Sequence, residues 1–382
     1  MMGRSYDHIV IGVGGMGSAT AMHLAARGRR VLGLEQFDIP HAMGSSHGIN
    51  RIIRLAYNEH PDYVPMLRRA YDLWRALEAD FSRQLLYVTG GLDAGREGGR
   101  VVTGALAACR RHDLEHTVMT PKEVARRFPG MALPDDYTAV LQPDAGFVLA
   151  EESIIAHVKA AVRLGAEIRA REPVVKWTAR PGGDGVVVET SRGSYEAQSL
   201  VITAGAWAGK LLASLSPNAR PQRQVLGWFQ PLVPGDYALG SLPVFILDAD
   251  EGNFYGMPEF AVPGFKIGKF YHRDQWCDPD TIDRSIEAAD EEVLRVAVRR
   301  YFPNANGPTM SLRTCMFTNS PDQHFILDRV RETPQVAIAA GFSGHGYKFC
   351  SVVGEIMADL AIDGASRHAI EMFRMDRFER SA

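Results

Sequence analysis

Residues 8–35 read HIVIGVGGMGSATAMHLAARGRRVLGLE: a short β-branched strand, a glycine-rich turn, a helix of small residues stopped by Gly28, and a second strand ending at Glu35. This is a complete βαβ unit. It holds Gly12-Val13-Gly14-Gly15-Met16-Gly17, a GxGxxG placed directly after a strand and at the opening of a helix. Gly12 permits the tight turn, Gly14 lets the backbone approach a pyrophosphate, and Gly17 lets helix and strand pack closely, with the helix N-terminus facing the phosphates. Glu35, eighteen residues beyond Gly17, can accept hydrogen bonds from a ribose 2′-OH. A glycine turn of another α/β fold would not need strand, helix and acid together. The motif by itself does not choose between NAD and FAD.

Outward from this unit, HAMGSSHGINRIIR forms a polar loop, and a helix follows from about Tyr63, with Tyr63, Leu67, Tyr71 and Trp74 at helical spacing. Residues 86–147 are turn-rich, with helices expected near Thr103–Arg111 and at Pro121–Phe128, the latter with Thr120 as N-cap. A helix at Ser153–Leu164 leads into strands around Val174, Val186–Glu189 and Tyr195, then into SLVITAGAW at 199–207, an apolar strand running into a glycine turn. From Gln222 to Phe317 short strands with Gly/Pro turns predict an antiparallel sheet, interrupted by an acidic helix at about Thr281–Tyr301. After Thr318 the first style returns: strand QVAIAAG, loop FSGHG, and a helix with Phe349, Val352, Val353, Ile356, Met357 and Leu360 on one face. The interleaving predicts α/β plus antiparallel β: a discontinuous nucleotide domain (1–85, 145–220 and 320–382) and an antiparallel-sheet substrate domain (86–144 and 221–319). A fingerprint at the start and a glycine loop beside the last helix suit a long cofactor held by both ends of the chain, which favours FAD.

Composition narrows the class. The 382 residues are 46% hydrophobic and 23% charged, as in soluble globular enzymes, and 42 Lys plus Arg against 45 Asp plus Glu give a formal charge of −3. That balance argues against a nucleic-acid partner. Cys109, Cys277, Cys315 and Cys350 are too far apart for a CxxC pair or a local zinc cluster, so no metal is expected and a reduced, cytoplasmic compartment fits. The start MMGRSYD lacks the features of a secretory signal, no apolar run is long enough to span a membrane, and the end FERSA is not a peroxisomal tripeptide.

Four further segments carry candidate chemistry. His47, Arg51 and Arg54 lie in SHGINRIIR; arginines three apart can share one side of a turn and pair with a carboxylate or phosphate. Surface arginines in a solvated loop are the plainer alternative, against which Ile52, Ile53 and Leu55 pull the segment inward. In Gly341-Phe342-Ser343-Gly344-His345-Gly346-Tyr347-Lys348 the glycines permit close approach to a flat ligand, and Lys348, a cation opposing the helix dipole, is oddly placed for a structural lysine. In GFKIGKFYH, alternation puts Lys266 and Gly268 on one face and Phe265, Ile267 and Lys269 on the other, and pattern alone favours a solvated position for both lysines. Cys315 reads by default as a buried inert thiol.

These segments, with RQV at 223–225, FYG at 254–256, TCMFTNSPDQHFILD at 314–328 and AIAAGFSGHGYKF at 337–349, resemble the monomeric sarcosine oxidase and N-methyltryptophan oxidase family of flavoproteins nearly end to end. The resemblance implies a Rossmann-type FAD-binding domain of the D-amino-acid-oxidase kind. It implies FAD contacts from Gly12, Gly14, Gly15, Gly17, Glu35, Gln36, Ser46, His47, Arg51, Val174, Phe342, Gly344, His345, Gly346 and Lys348, and a thioether from Cys315 to the flavin 8α-methyl. Arg54 and Lys348 match the pair that holds the substrate carboxylate, Tyr255 an active-site tyrosine, Lys266 the lysine linked to oxygen activation, and His272 the active-site histidine. The chain departs from its relatives at Ser46-His47, at Ile49-Asn50 and at Phe317, which replaces a tyrosine.

The implied reaction is oxidation of a secondary-amine amino acid by hydride transfer to FAD, hydrolysis of the imine, and reduction of O2 to hydrogen peroxide by a monomeric enzyme. Sarcosine, bulkier N-methyl amino acids, proline and pipecolate all remain open as substrates. A flavin dehydrogenase passing electrons to a quinone or carrier, an NAD enzyme, and a non-catalytic flavin protein are the alternatives.

Overall fold

Ser5–Ile11 lies at the centre of a sheet, with Val31–Leu34 parallel on one side and Gly193–Ile202 parallel on the other. The chain is a computed structural model that describes residues 5–381; residues 1–4 and 382, on which the reading of the two chain ends partly rests, lie outside it. Glu167–Arg169 extends the parallel sheet beyond Val31–Leu34. The two strands expected around Tyr195 and Ser199 are one. The first half of Gly193–Ile202 pairs antiparallel with Val186–Thr190, and its second half pairs parallel with Val336–Ala340, so one long strand joins a hairpin layer to the nucleotide layer.

The helix Gly15–Ala26 is made of small residues because it is wedged between two others, Ala150–Arg163 and Cys350–Ile362. At the second crossing a Cβ on Gly354 would stand 2.6 Å from the backbone of Ala19, so the helices meet almost backbone to backbone. Val64–Phe81 packs on the outer side, closing a core that includes Trp74, Leu67, Phe349 and Ile356.

A second sheet holds the antiparallel segments. Arg220–Phe229 pairs with Thr309–Asn319 along its whole length and with Phe265–Lys269 on its other edge; Gly252–Met257 and Val244–Ala249 follow. Gln275–Trp276 pairs with Arg220–Phe229 at one edge, and Gly91–Arg96, parallel to Val244–Ala249, continues the other side with Tyr137–Gln142 and Thr117–Met119, within the stretch 86–147 expected to be mainly turns and helices. Buried polar Asp93 and the glycines of Gly91–Arg96 hide the strand pattern there. The expected helices do form, at Arg100–His112 and Pro121–Arg127, and Thr120 caps the latter in a reciprocal capping box with Glu123.

The acidic helix begins at Ala288, seven residues later than expected. Arg223 takes the carbonyls of Asp283 and Ser285, and Asp283 accepts the Ser285 amide, which commits that stretch to a turn. A small third sheet, Asn50–Ile53, Gly146–Leu149 and Leu86–Val88, converts the end of the expected polar loop into a strand and places Arg54 immediately after it. Among the described residues no helix is long and apolar enough to cross a membrane, and no cluster of side chains is arranged to hold a metal.

Candidate active site

A cavity of about 380 Å³ runs from the end of Val31–Leu34, past the glycine turn, to the loop before the last helix. Gly12, at φ +88°, makes the turn, and its missing Cβ leaves room for Thr203 and Ala204, whose atoms would otherwise be 2.8 Å away. Gly17 has the tighter demand: a Cβ there would stand 1.8 Å from the Gly12 carbonyl oxygen. Gly14 differs, since the protein atom nearest to its Cβ position is the Ser46 hydroxyl at 3.8 Å. Space is kept open at Gly14 for something other than protein. The helix Gly15–Ala26 has no side-chain cap and no acid in its first turn, so its N–H groups and dipole face that space. Glu35 is buried at the strand end, where its two carboxylate oxygens accept the Val13 amide at 2.9 Å and the Phe37 amide at 3.0 Å. The donor set, the open cradle and the acid fit a dinucleotide bound through its pyrophosphate and ribose.

A smaller cavity of about 50 Å³ adjoins the first, and the two share Arg51, Phe317, Gly344 and Tyr347 as wall. Arg54 and Lys348 both line it and both are buried. Arg54 donates to the Glu59 carboxylate at 2.9 and 3.0 Å and to the Ala56 carbonyl at 2.7 Å, while its Nε faces Asp93 at 3.8 Å without a hydrogen bond. Burial works to raise Glu59, but Arg54 overcomes it and holds the carboxyl at about 2; Asp93, less well paired, is raised by burial to about 6. Lys348 donates to the His345 carbonyl at 2.7 Å, lies 5.2 Å from the centre of the Tyr57 ring, and is pulled down to about 7 by burial and by the charge of Arg54. Among the described residues, two of its three donors take no acceptor. His345 is locked between the Tyr57 hydroxyl and the Gln323 carbonyl, and burial lowers its pKa to about 4, which keeps it neutral at pH 7.

Lys266 lines the same cavity. It is buried, not solvated as the strand pattern suggests, because the Gly48–Asn50 segment covers that face of Phe265–Lys269. Lys269 on the other face is half-buried beside Gly252. Burial and the charge of Arg51 pull Lys266 well below the usual lysine range. Cys315 is buried in the same wall, its thiol pushed up by burial. Tyr255 lines the cavity, its hydroxyl has no hydrogen-bond partner among the described residues, and Phe270 packs on its ring at 4.9 Å and on Phe317 at 5.9 Å.

Of the expected cofactor residues, Gly12, Gly14, Gly15, Glu35, Gln36, Ser46, Arg51, Val174, Phe342, Gly344 and Gly346 line the larger cavity. Cys315, His345 and Lys348 line the smaller one with Arg54, Tyr255 and Lys266. Gly17 lies beneath the turn. His47 is buried outside both linings; burial and the charge of Arg51 drop it to about 3, and its Nε2 has no hydrogen-bond partner. His272 is also outside. Tyr271, His272 and Asp274 all take positive φ, and the resulting turn swings His272 onto Asp290 at 3.1 Å, so Phe270 faces the cavity instead. Glu59 and Asp93 belong to none of the quoted segments, and Asn50 and Phe270, though inside SHGINRIIR and GFKIGKFYH, carry no signal of their own; Glu59 alone has a local one, as an acid five residues after Arg54.

The FAD dependent oxidoreductase family profile matches residues 7–360. The chain is 42% identical over 377 residues to monomeric sarcosine oxidase of Streptomyces avermitilis, covering 97% of both proteins. It is 31% identical over 376 residues to N-methyl-L-tryptophan oxidase of Yersinia pestis, covering 98% of this chain and 99% of that one. Among solved structures, NikD, an unusual amino acid oxidase essential for nikkomycin biosynthesis, superposes with a TM-score of 0.84 at 26% identity, covering 97% of each chain.

Proposed function

The chain belongs to the family of FAD-dependent oxidoreductases, and on that premise we propose that it is a flavoprotein oxidase of N-methyl amino acids, yielding an imine that hydrolyses and hydrogen peroxide. The observation that carries this reading is the pairing of Arg54 and Lys348 in a small buried cavity that shares a wall with the dinucleotide cavity. Two cations there are recognition chemistry for a carboxylate, and the free Tyr255 hydroxyl can meet the amine end of the same molecule. FAD, when bound, accepts the hydride from substrate and passes the electrons to dioxygen.

The protein's own part is binding, orientation and charge. The substrate carboxylate competes with Glu59 for Arg54 and takes the two unused donors of Lys348, which fixes the amine-bearing carbon in one place. Phe270, Phe317 and Met257 form apolar wall that excludes water beside it. Lys266, lining the same cavity, would supply positive charge to offset the negative charge that reduction of dioxygen develops. This favours an oxidase over a dehydrogenase that feeds a carrier. Cys315 is the covalent anchor in this reading, with residues 1–85, 145–220 and 320–382 as the FAD-binding part, 86–144 and 221–319 as the substrate part, and the protein a cytoplasmic monomer.

A peroxide-coupled screen over sarcosine, N-methyltryptophan, proline and pipecolate tests the proposal. Peroxide formation with sarcosine or N-methyltryptophan, lost in Arg54→Gln, is expected; purified yellow protein that forms no peroxide with either under air would overturn it.

A further inference from the structure

An ammonium group has three N–H donors, and the protein takes all three from Lys266: the Gly48 carbonyl at 2.6 Å, the Asn50 carbonyl at 3.0 Å and the Asn50 side-chain oxygen at 2.8 Å. Three acceptors on one short segment converge because of its backbone. The Gly48 carbonyl also accepts the Asn50 amide at 3.0 Å, closing a γ-turn around Ile49, whose φ is 77°. That is the rare, strained hand of the turn, and at a β-branched residue it is a genuine outlier. Such a conformation persists only when its surroundings impose it.

What imposes it lies at the start of helix Ala150–Arg163. The Glu151 carboxylate accepts the Gly48 amide at 2.7 Å and the Ile49 amide at 3.0 Å, and the Ala150 amide donates to the Ile49 carbonyl at 2.7 Å. The amides of the turn therefore face Glu151, and its other oxygens are left facing Lys266. Arg51 tightens the arrangement by donating to the Asn50 and Ser45 carbonyls, each at 2.9 Å.

We propose that Glu151 is a positioning residue for Lys266: by holding the Gly48–Ile49 amides it maintains the strained turn whose acceptors fix the ammonium in the wall of the substrate cavity. The inference deepens the reading of Lys266 as the charge that assists oxygen reduction. The three acceptors match the three donors of an ammonium and not the two of a neutral amine, so the turn holds Lys266 charged against its burial; with every donor occupied, Lys266 acts through that charge rather than by donating a hydrogen bond to oxygen.

The test uses holoenzyme carrying Glu151→Ala, Glu151→Gln, Ile49→Gly, Lys266→Met and the double changes. Two quantities are read: the rate constant for reoxidation of reduced enzyme by oxygen relative to that for reduction by substrate, and acetylation of the Lys266 amine by acetic anhydride, followed by peptide mass spectrometry across pH. Glu151→Ala should lower the reoxidation-to-reduction ratio about tenfold or more and raise Lys266 labelling. It should add nothing on top of Lys266→Met. Ile49→Gly, which relieves the turn, should recover much of the loss, and Glu151→Gln, which keeps an acceptor, should fall between; that variant and Ile49→Gly carry the test if Glu151→Ala does not fold. Wild-type ratio and labelling in Glu151→Ala and Glu151→Gln, with Lys266→Met slow, would overturn the positioning role. A Lys266→Met enzyme that reoxidises at the wild-type rate would instead overturn the oxygen role of Lys266, and labelling alone would then decide whether Glu151 positions it.

Discussion

Two neighbouring glycines of one motif should respond to alanine in opposite ways. At Gly14 the backbone is extended, with φ −78° and ψ −154°, outside the left-handed region that favours glycine, and the nearest protein atom to an added Cβ is 3.8 Å away. Gly14→Ala should therefore leave the flavin-free protein as stable as wild type, or more stable by up to about 0.5–1 kcal/mol through the unfolded chain. Its methyl group would fill the space in which a pyrophosphate approaches the helix, so flavin affinity should fall about a hundredfold, roughly 2.7 kcal/mol. At Gly17 the added Cβ would stand 1.8 Å from the Gly12 carbonyl, and the turn or the helix must shift by more than an ångström. Gly17→Ala should cost about 1–3 kcal/mol of fold stability with or without flavin. The assay is thermal unfolding of flavin-stripped protein beside FAD titration, both in a Cys315→Ala background so that the flavin is free to exchange. Wild-type FAD affinity in Gly14→Ala would refute the reading of the open cradle as the pyrophosphate site; equal loss of stability in the two variants would refute the distinction between ligand space and packing space.

Cys315→Ala should abolish flavin fluorescence from the protein band of a denaturing gel while native protein stays yellow; fluorescence remaining in the band would remove Cys315 as the anchor. Lys348, pulled down to about 7, loses its charge as pH rises through that value, so the Kd of an amine-free carboxylate such as acetate, read from flavin absorbance, should rise about tenfold per unit above pH 7 and stay flat in Lys348→Met. Glu59, held at about 2 against an ordinary value near 4.5, contributes stability that is present above pH 4.5 and lost as pH falls toward 2. Unfolding midpoints of Glu59→Gln should accordingly decline less than those of wild type over that window, since the other paired carboxylates still contribute, and parallel curves would contradict the pairing with Arg54.

The nucleotide layer was legible because its signals are local. A strand, a turn that only glycine can make at Gly12, small residues where helices touch, and an acid at the next strand end all lie within 28 consecutive residues. The capping box at Thr120 is equally local. Where tertiary partners decide, the sequence pattern misleads. Lys266 alternates like a solvated residue, and only the distant turn at Gly48–Asn50 makes its position a buried one. Asp93 breaks the apolar pattern of its strand because it faces Arg54 across the fold. A run of positive φ values at Tyr271, His272 and Asp274 turns His272 away and leaves Phe270 at the cavity, an outcome that spacing alone does not reveal. The two cavities meet for the same reason: their shared wall comes from Arg51, Phe317 and the 344–347 loop, three segments far apart in the chain.

The most direct test of the account is an anaerobic titration of the purified yellow protein with sarcosine or the best substrate of the screen, followed by admission of oxygen. Stoichiometric bleaching of the flavin band, then its recovery with one hydrogen peroxide per substrate consumed, is the predicted result. Bleaching that oxygen fails to reverse on the timescale of turnover, while a quinone or carrier does, would contradict the assignment as an oxidase.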